Sequence, residues 1–182
     1  MKRAWLVAVA FLLAAGCKDN MLTGALVPVP PVHRMPIEFE GRTILVGEDA
    51  TIESGDPVHI SRAKARRIPQ DYRASMERAL ALAGFKVVTT PSEEHDLIAK
   101  LALAVKEEGG HIRQTYRCGL QSPDGSEVAQ IDWAWPEGTY VEVNEVFDFA
   151  THNVATEITM SPRVMTYLRG HRAGAAPAPA AP

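Results

Sequence analysis

Residues 111–120 read HIRQTYRCGL, and their alternation decides the architecture. Ile112, Gln114, Tyr116, Cys118 and Leu120 fall on one side of an extended chain, and His111, Arg113, Thr115 and Arg117 on the other. Successive side chains of a strand point to opposite faces, so the pattern predicts a strand with one face buried. Turn signals flank it: Glu107 to Gly110 (EEGG) before, and Pro123, Asp124 and Gly125 after, both suited to hairpins. Beyond the first turn, Asp96 to Val105 (DLIAKLALAV) is apolar on both faces apart from Lys100, which predicts a central strand and leaves a short helix as the alternative. Beyond the second, Glu127 to Trp135 puts Ala129, Ile131, Trp133 and Trp135 on one face. Three consecutive antiparallel strands follow, with the two tryptophans read as core or as the floor beneath a helix.

Further upstream, Arg42 to Gly47 carries Ile44, Leu45 and Val46 and predicts a short strand that Ile37 and Phe39 extend. Pro69 suits the first turn of a helix, and Tyr72, Met76, Ala79, Leu80 and Ala83 then recur at helical spacing until Gly84. Phe85 to Thr89 (FKVVT) is the next strand, which makes a right-handed crossover unit if it lies parallel to the first. Downstream, Val143, Phe147, Ala150, Val154 and Ile158 mark an amphipathic helix beginning near Tyr140. Ser161 and Pro162 form an N-cap and first-turn pair for a short last helix through Val164, Met165 and Leu168, stopped by Gly170. The expected fold class is α+β: a two-layer sandwich with a mixed, mainly antiparallel sheet of four to five strands and two main helices on one face. This order of elements, with the phrases ALALAGFKVV (residues 79–88) and SPRVMTYL (residues 161–168), resembles small envelope lipoproteins of the lipopolysaccharide-transport plug type and the amino-terminal domain of TolB-type proteins. The resemblance implies a fold and carries no site residue.

The chain starts differently. Lys2 and Arg3 precede an apolar run from Ala4 to Leu13, and Ala14, Ala15 and Gly16 lead into Cys17. A spanning helix needs about 20 apolar residues, so this shorter run predicts a cleaved export signal over residues 1–16. Small residues ending on cysteine make it similar to the lipobox of bacterial lipoproteins. That resemblance implies cleavage between Gly16 and Cys17, acylation of Cys17 and a membrane partner held through the lipid. Lys18 stands where an aspartate would imply inner-membrane retention, so the resemblance implies the outer membrane. Residues 17–36, with Pro28, Pro30, Pro31 and Pro36, are expected to form an anchor and extended tether, residues 37–170 a single domain, and the Ala/Pro-rich residues 171–182 a disordered tail.

Removing residues 1–16 takes Lys2 and Arg3 away, so 17 Lys and Arg face 22 Asp and Glu, a formal charge of −5. That balance argues against a nucleic-acid partner. With Cys17 acylated, Cys118 has no intramolecular mate, and its place in the alternation reads as a small buried apolar residue. The six histidines, His33, His59, His95, His111, His152 and His171, show none of the spacings that hold zinc, and Glu93, Glu94, His95 and Asp96 alternate sides on an extended chain. No nucleophile elbow, phosphate loop or dinucleotide fingerprint occurs. No catalytic residue, metal or cofactor is therefore expected. Arg62, Lys64, Arg66 and Arg67, placed ahead of the first helix, oppose its dipole and are the candidate contact with an anionic surface. The expected function is a non-enzymatic, lipid-anchored interaction or assembly module of the periplasm with an envelope protein partner. The alternatives are a binding module for anionic lipid, lipopolysaccharide or glycan, and a small hydrolase whose site is assembled from distant segments.

Overall fold

A long hairpin forms the axis of the sheet. The computed structural model describes residues 26–47, 50–54, 62–108, 111–137, 141 and 145–171. Its strands are β1 (Thr43–Val46), β2 (Thr51–Ser54), β3 (Lys86–Val88), β4 (Leu97–Glu108), β5 (His111–Gln121) and β6 (Glu127–Ala134). β4 and β5 pair antiparallel from Ile98↔Gln121 to Glu108↔His111, and β6 continues antiparallel to β5. On the other side of β4, β1 and β2 follow one another along the same edge, both parallel to it, at Leu97–Ala99 and at Ala102–Val105. β3 lies outside β1 and parallel to it, the geometry the crossover reading required. The strand order is β3-β1-β4-β5-β6, with β2 beside β4. The α+β class is as expected; the sixth strand is β2, whose four residues TIES hold a single large apolar side chain and give no alternation to read.

Three helices cover one face: α1 (Arg62–Leu82), α2 (Val146–Met160) and α3 (Pro162–Gly170). Leu97, Ala99, Leu101, Leu103 and Val105 of β4 and Tyr116, Cys118 and Leu120 of β5 point into the core beneath them. Full burial of such a side chain stabilises by about 1.5–3 kcal/mol, so this strip supplies much of the driving force. α1 and α2 run in the same direction: Tyr72 stacks on Phe147 with ring centroids 6.3 Å apart, and one turn on Ser75 meets Thr151 at 2.8 Å. Gly84, at φ +101°, turns the chain from α1 into β3, where a Cβ would sit 3.2 Å from Met35 Cγ.

Three local expectations are corrected. α1 begins at Arg62, not at Pro69, which lies inside it. α2 begins at Val146 rather than near Tyr140. Ile37–Phe39 forms a 3₁₀ turn rather than an extension of β1, because Gly41 at φ +79° bends the chain between them. Ser161 caps α3 as read, its hydroxyl accepting from Val164 N at 3.5 Å with Pro162 in the first turn.

The segment expected to be a free tether lies against the domain in its last part. His152 Nδ1 contacts Pro30 O at 2.7 Å, and His33 N donates to Thr156 Oγ1 at 3.0 Å. Thr159 Oγ1 donates to His33 O at 3.1 Å, and Met35 N to Ala83 O at 2.9 Å. Residues 30–35 thus form a strap along α2, parallel to it, ending on the buried side chain of Met35.

Candidate interaction surface

The tryptophans sit as the alternation requires. Trp133 and Trp135 are half-buried in an aromatic cluster on the core face of β6, with Phe149 at 5.8 and 5.2 Å and Tyr116 at 6.0 and 6.5 Å between ring centroids. They form a floor beneath α2. The opposite sheet face is polar and has no helix over it among the described residues. Lys100, Lys106 and Arg113 are exposed there, and Arg117 at its centre pairs with Glu53 of β2 at 2.6 Å and approaches Asp132 of β6 at 3.5 Å. Opposite charges on adjacent strands stabilise the sheet, and two carboxylates answer Arg117.

The candidate basic contact lies in a helix, not in a loop ahead of one. Arg62, Lys64, Arg66 and Arg67 fall within the first two turns of α1, whose first turn holds no acidic residue. Arg67 is 81% exposed and pairs with Asp71 one turn on at 3.2 Å, so part of its charge is answered locally. Gly16 and Cys17 lie outside the described residues.

Titratable groups are scattered. His95 Nδ1 contacts Glu93 O, His152 Nδ1 contacts Pro30 O and His171 Nδ1 contacts Tyr167 O, each bonded to main chain rather than to a reacting group. Among the described residues no three His, Cys, Asp or Glu side chains converge as metal ligands. Ser75 donates its hydroxyl proton to Asp148, which also accepts from Arg78 Nη2 at 2.8 Å. Ser75 is buried between α1 and α2, so this cluster ties the two helices together out of reach of a substrate. Burial pushes the Asp148 carboxyl up, but the Ser75 and Arg78 hydrogen bonds and the Arg78 charge outweigh it, and the net shift is downward. Cys118 is completely buried, and burial pushes its thiol up to about 12, so it is the inert apolar residue the alternation predicts.

Two shallow clefts open on the surface. One of about 480 Å³ lies between Ser122, Ser126 and Val128 on one side and Pro162, Arg163 and Tyr167 of α3 on the other. The second, about 620 Å³, is bordered by Glu40, Arg42, Lys86, Glu93, Glu94 and His95. A more informative feature is the pair of sheet edges, which sequence reasoning did not separate. β3 is three residues long and begins with Lys86, whereas β6 runs for eight residues without Lys, Arg or Pro. Short strands and lysines guard edges against pairing, so β3 is protected, whereas β6 has no further strand on its outer side among the described residues.

No family model and no curated protein matches the chain. Among solved structures, it is similar to a neuraminyllactose-binding hemagglutinin homolog from Helicobacter pylori, at 12% identity over 80% of this chain and 98% of that one, with a TM-score of 0.45. It is also similar to PelC from Paraburkholderia phytofirmans, solved as a dodecamer, at 14% identity over 76% and 99% of the two chains, with a TM-score of 0.43. Likenesses this distant transfer no function.

Proposed function

We propose that this chain is a lipid-anchored protein of the bacterial envelope, cleaved between Gly16 and Cys17 and held in the outer membrane by acyl chains on Cys17. Its domain works in the periplasm as an interaction or assembly module rather than as a catalyst. The observation that carries the reading is the strap: residues 30–35 are bonded to α1 and α2 through Met35, His33 and His152, so the chain leading from Cys17 reaches the domain as a fixed attachment. Twelve residues then separate Cys17 from Pro30, enough to span at most roughly 37 Å at about 3.1 Å per residue. The uncovered polar face supplies surface for a partner. Site-specific crosslinkers at Lys100, Arg113 and Gln130 in intact envelopes should capture a discrete macromolecular neighbour. Failure to capture any at all three positions contradicts the reading.

A second reading has its own support in the basic, acid-free start of α1. There the module would contact anionic lipid or lipopolysaccharide. Replacing Arg62, Lys64, Arg66 and Arg67 together with serine should then weaken binding to anionic vesicles, and the wild-type binding should fall as salt rises. Unchanged binding removes it.

A further inference from the structure

The geometry points to β6 as a self-pairing edge, through which two copies of this chain join their sheets antiparallel about a two-fold axis at Ile131. The phase of the strand comes first. Trp135 N donates to Gln114 O at 2.9 Å, and those two residues lie opposite one another in the β5–β6 register. Trp135, Trp133, Ile131 and Ala129 therefore turn their main-chain groups toward β5, and Gln130, Asp132 and Ala134 turn theirs outward. A second strand can only bond to that outward set.

Of the antiparallel self-registers that pair outward groups with outward groups, three are centred in the middle of β6, on Gln130, Ile131 and Asp132. Centred on Gln130, the pairing places Asp132 opposite Val128, which is displaced by the register shift at Leu120/Gln121 and breaks the ladder. Centred on Asp132, it sets two carboxylates face to face, which is destabilising. Centred on Ile131, Gln130 faces Asp132 of the second copy, and the two such pairs each exchange two backbone hydrogen bonds. On the open face each Gln130 amide then meets a carboxylate, the same pairing that Gln130 Nε2 makes with Asp132 within one chain at 3.0 Å. On the core face Ile131 meets Ile131, and each half-buried Trp133 lies opposite the small Ala129, a large–small match that carries both aromatic clusters deeper. Of these three central registers, the one centred on Ile131 alone satisfies the main chain, the charges and the side-chain volumes together. Nothing on β6 guards against it: Asp132, its one charge beyond the first residue, already turns back toward Arg117.

This inference stands on the edge alone and is independent of the anchor. In the proposed register Ile131 and its mate form a non-hydrogen-bonded pair with Cα atoms about 4.5 Å apart, within disulfide range. Cys118 lies opposite Ile131 on β5 and would trap a new thiol within the chain, so every variant also carries Cys118→Ala. Purified full-length chain with Ile131→Cys in that background should form a disulfide-linked dimer under mild oxidation, above the background of the Cys118→Ala chain. Ala134→Cys, three residues off the axis, would place its two sulfurs about 20 Å apart and should give at least tenfold less. Adding Gln130→Pro to the Ile131→Cys chain removes an outward N–H that β5 does not use, so it should abolish the crosslink at position 131 while leaving the thermal midpoint within a few degrees. No dimer from the Ile131→Cys chain, equal crosslinking at both positions, or persistence of the crosslink with Gln130→Pro overturns the proposal.

Discussion

Arg42 and Asp96 join the first and fourth strands to the end of the last helix. The Asp96 carboxylate accepts from Arg42 Nη1 at 3.0 Å, Thr43 N at 2.7 Å and Thr43 Oγ1 at 2.9 Å, while Arg42 Nη2 donates to Leu168 O at 2.8 Å. The arginine thus satisfies carbonyls that the C-terminus of α3 would leave open. Both side chains are about nine-tenths buried, so Arg42→Ala strands a carboxylate out of reach of water and should cost about 3 kcal/mol or more in a urea titration. Arg67→Ala removes an exposed pair and should change stability by less than about 0.5 kcal/mol. A second residue-scale prediction concerns alkali. Burial raises the Cys118 thiol to about 12, and it raises Tyr72, helped by Cys118, Tyr116 and Asp132, and Tyr116 as well. All three ionise more readily in the unfolded chain. Their contribution to stability is whole below about pH 8.5 and is lost as pH climbs toward the folded values. The urea midpoint should fall between about pH 9 and 11, and Cys118→Ala should flatten the first part of that fall; an unchanged profile would contradict the burial of the thiol.

At the scale of elements, the alternation of residues 111–120 and the cap at Ser161–Pro162 were readable because strand period and capping chemistry are local. The start of α1 was not. Pro69 signals a first turn, yet RAKARRI ahead of it is made largely of strong helix formers that carry the helix through a residue costing about 3 kcal/mol in an interior. The strap left no trace in its own composition, since proline-rich sequence has no period. Its signal lay in its neighbour: α2 (VFDFATHNVATEITM) has only Asp148 and Glu157 as charges, too few for a helix with a broad solvent face. A chain beginning at residue 37 should therefore be less stable than one beginning at residue 26 by about 2 kcal/mol or more, the cost of emptying the Met35 site, as read by denaturant midpoint. Equal stabilities would show the strap to be ornamental. Asp148 ties α1 to α2, and its lowered carboxyl means that its contribution is present above about pH 4 and lost as pH falls through the folded value. Asp148→Asn should make the acid limb of the stability profile shallower.

For the whole molecule, composition and periodicity sufficed for the layers, because burial of one face per element leaves few arrangements. The surface was less legible. Which edge of the sheet is open depends on strand order, and that order depends on parallel pairings between segments as far apart as β1 and β4, which no local pattern encodes. The basic quartet was visible as a cluster, but its place inside α1 was hidden by the same proline that obscured the helix start. Gly16 and Cys17 stand on the opening sequence alone, so the anchor is the claim on which the functional reading turns. It is tested most directly by intact mass measurement of the mature protein extracted from bacterial membranes. The account predicts a polypeptide beginning at Cys17 that carries the added mass of acyl chains and enters the detergent phase. A chain with an unmodified Cys17 that stays in the aqueous phase contradicts it.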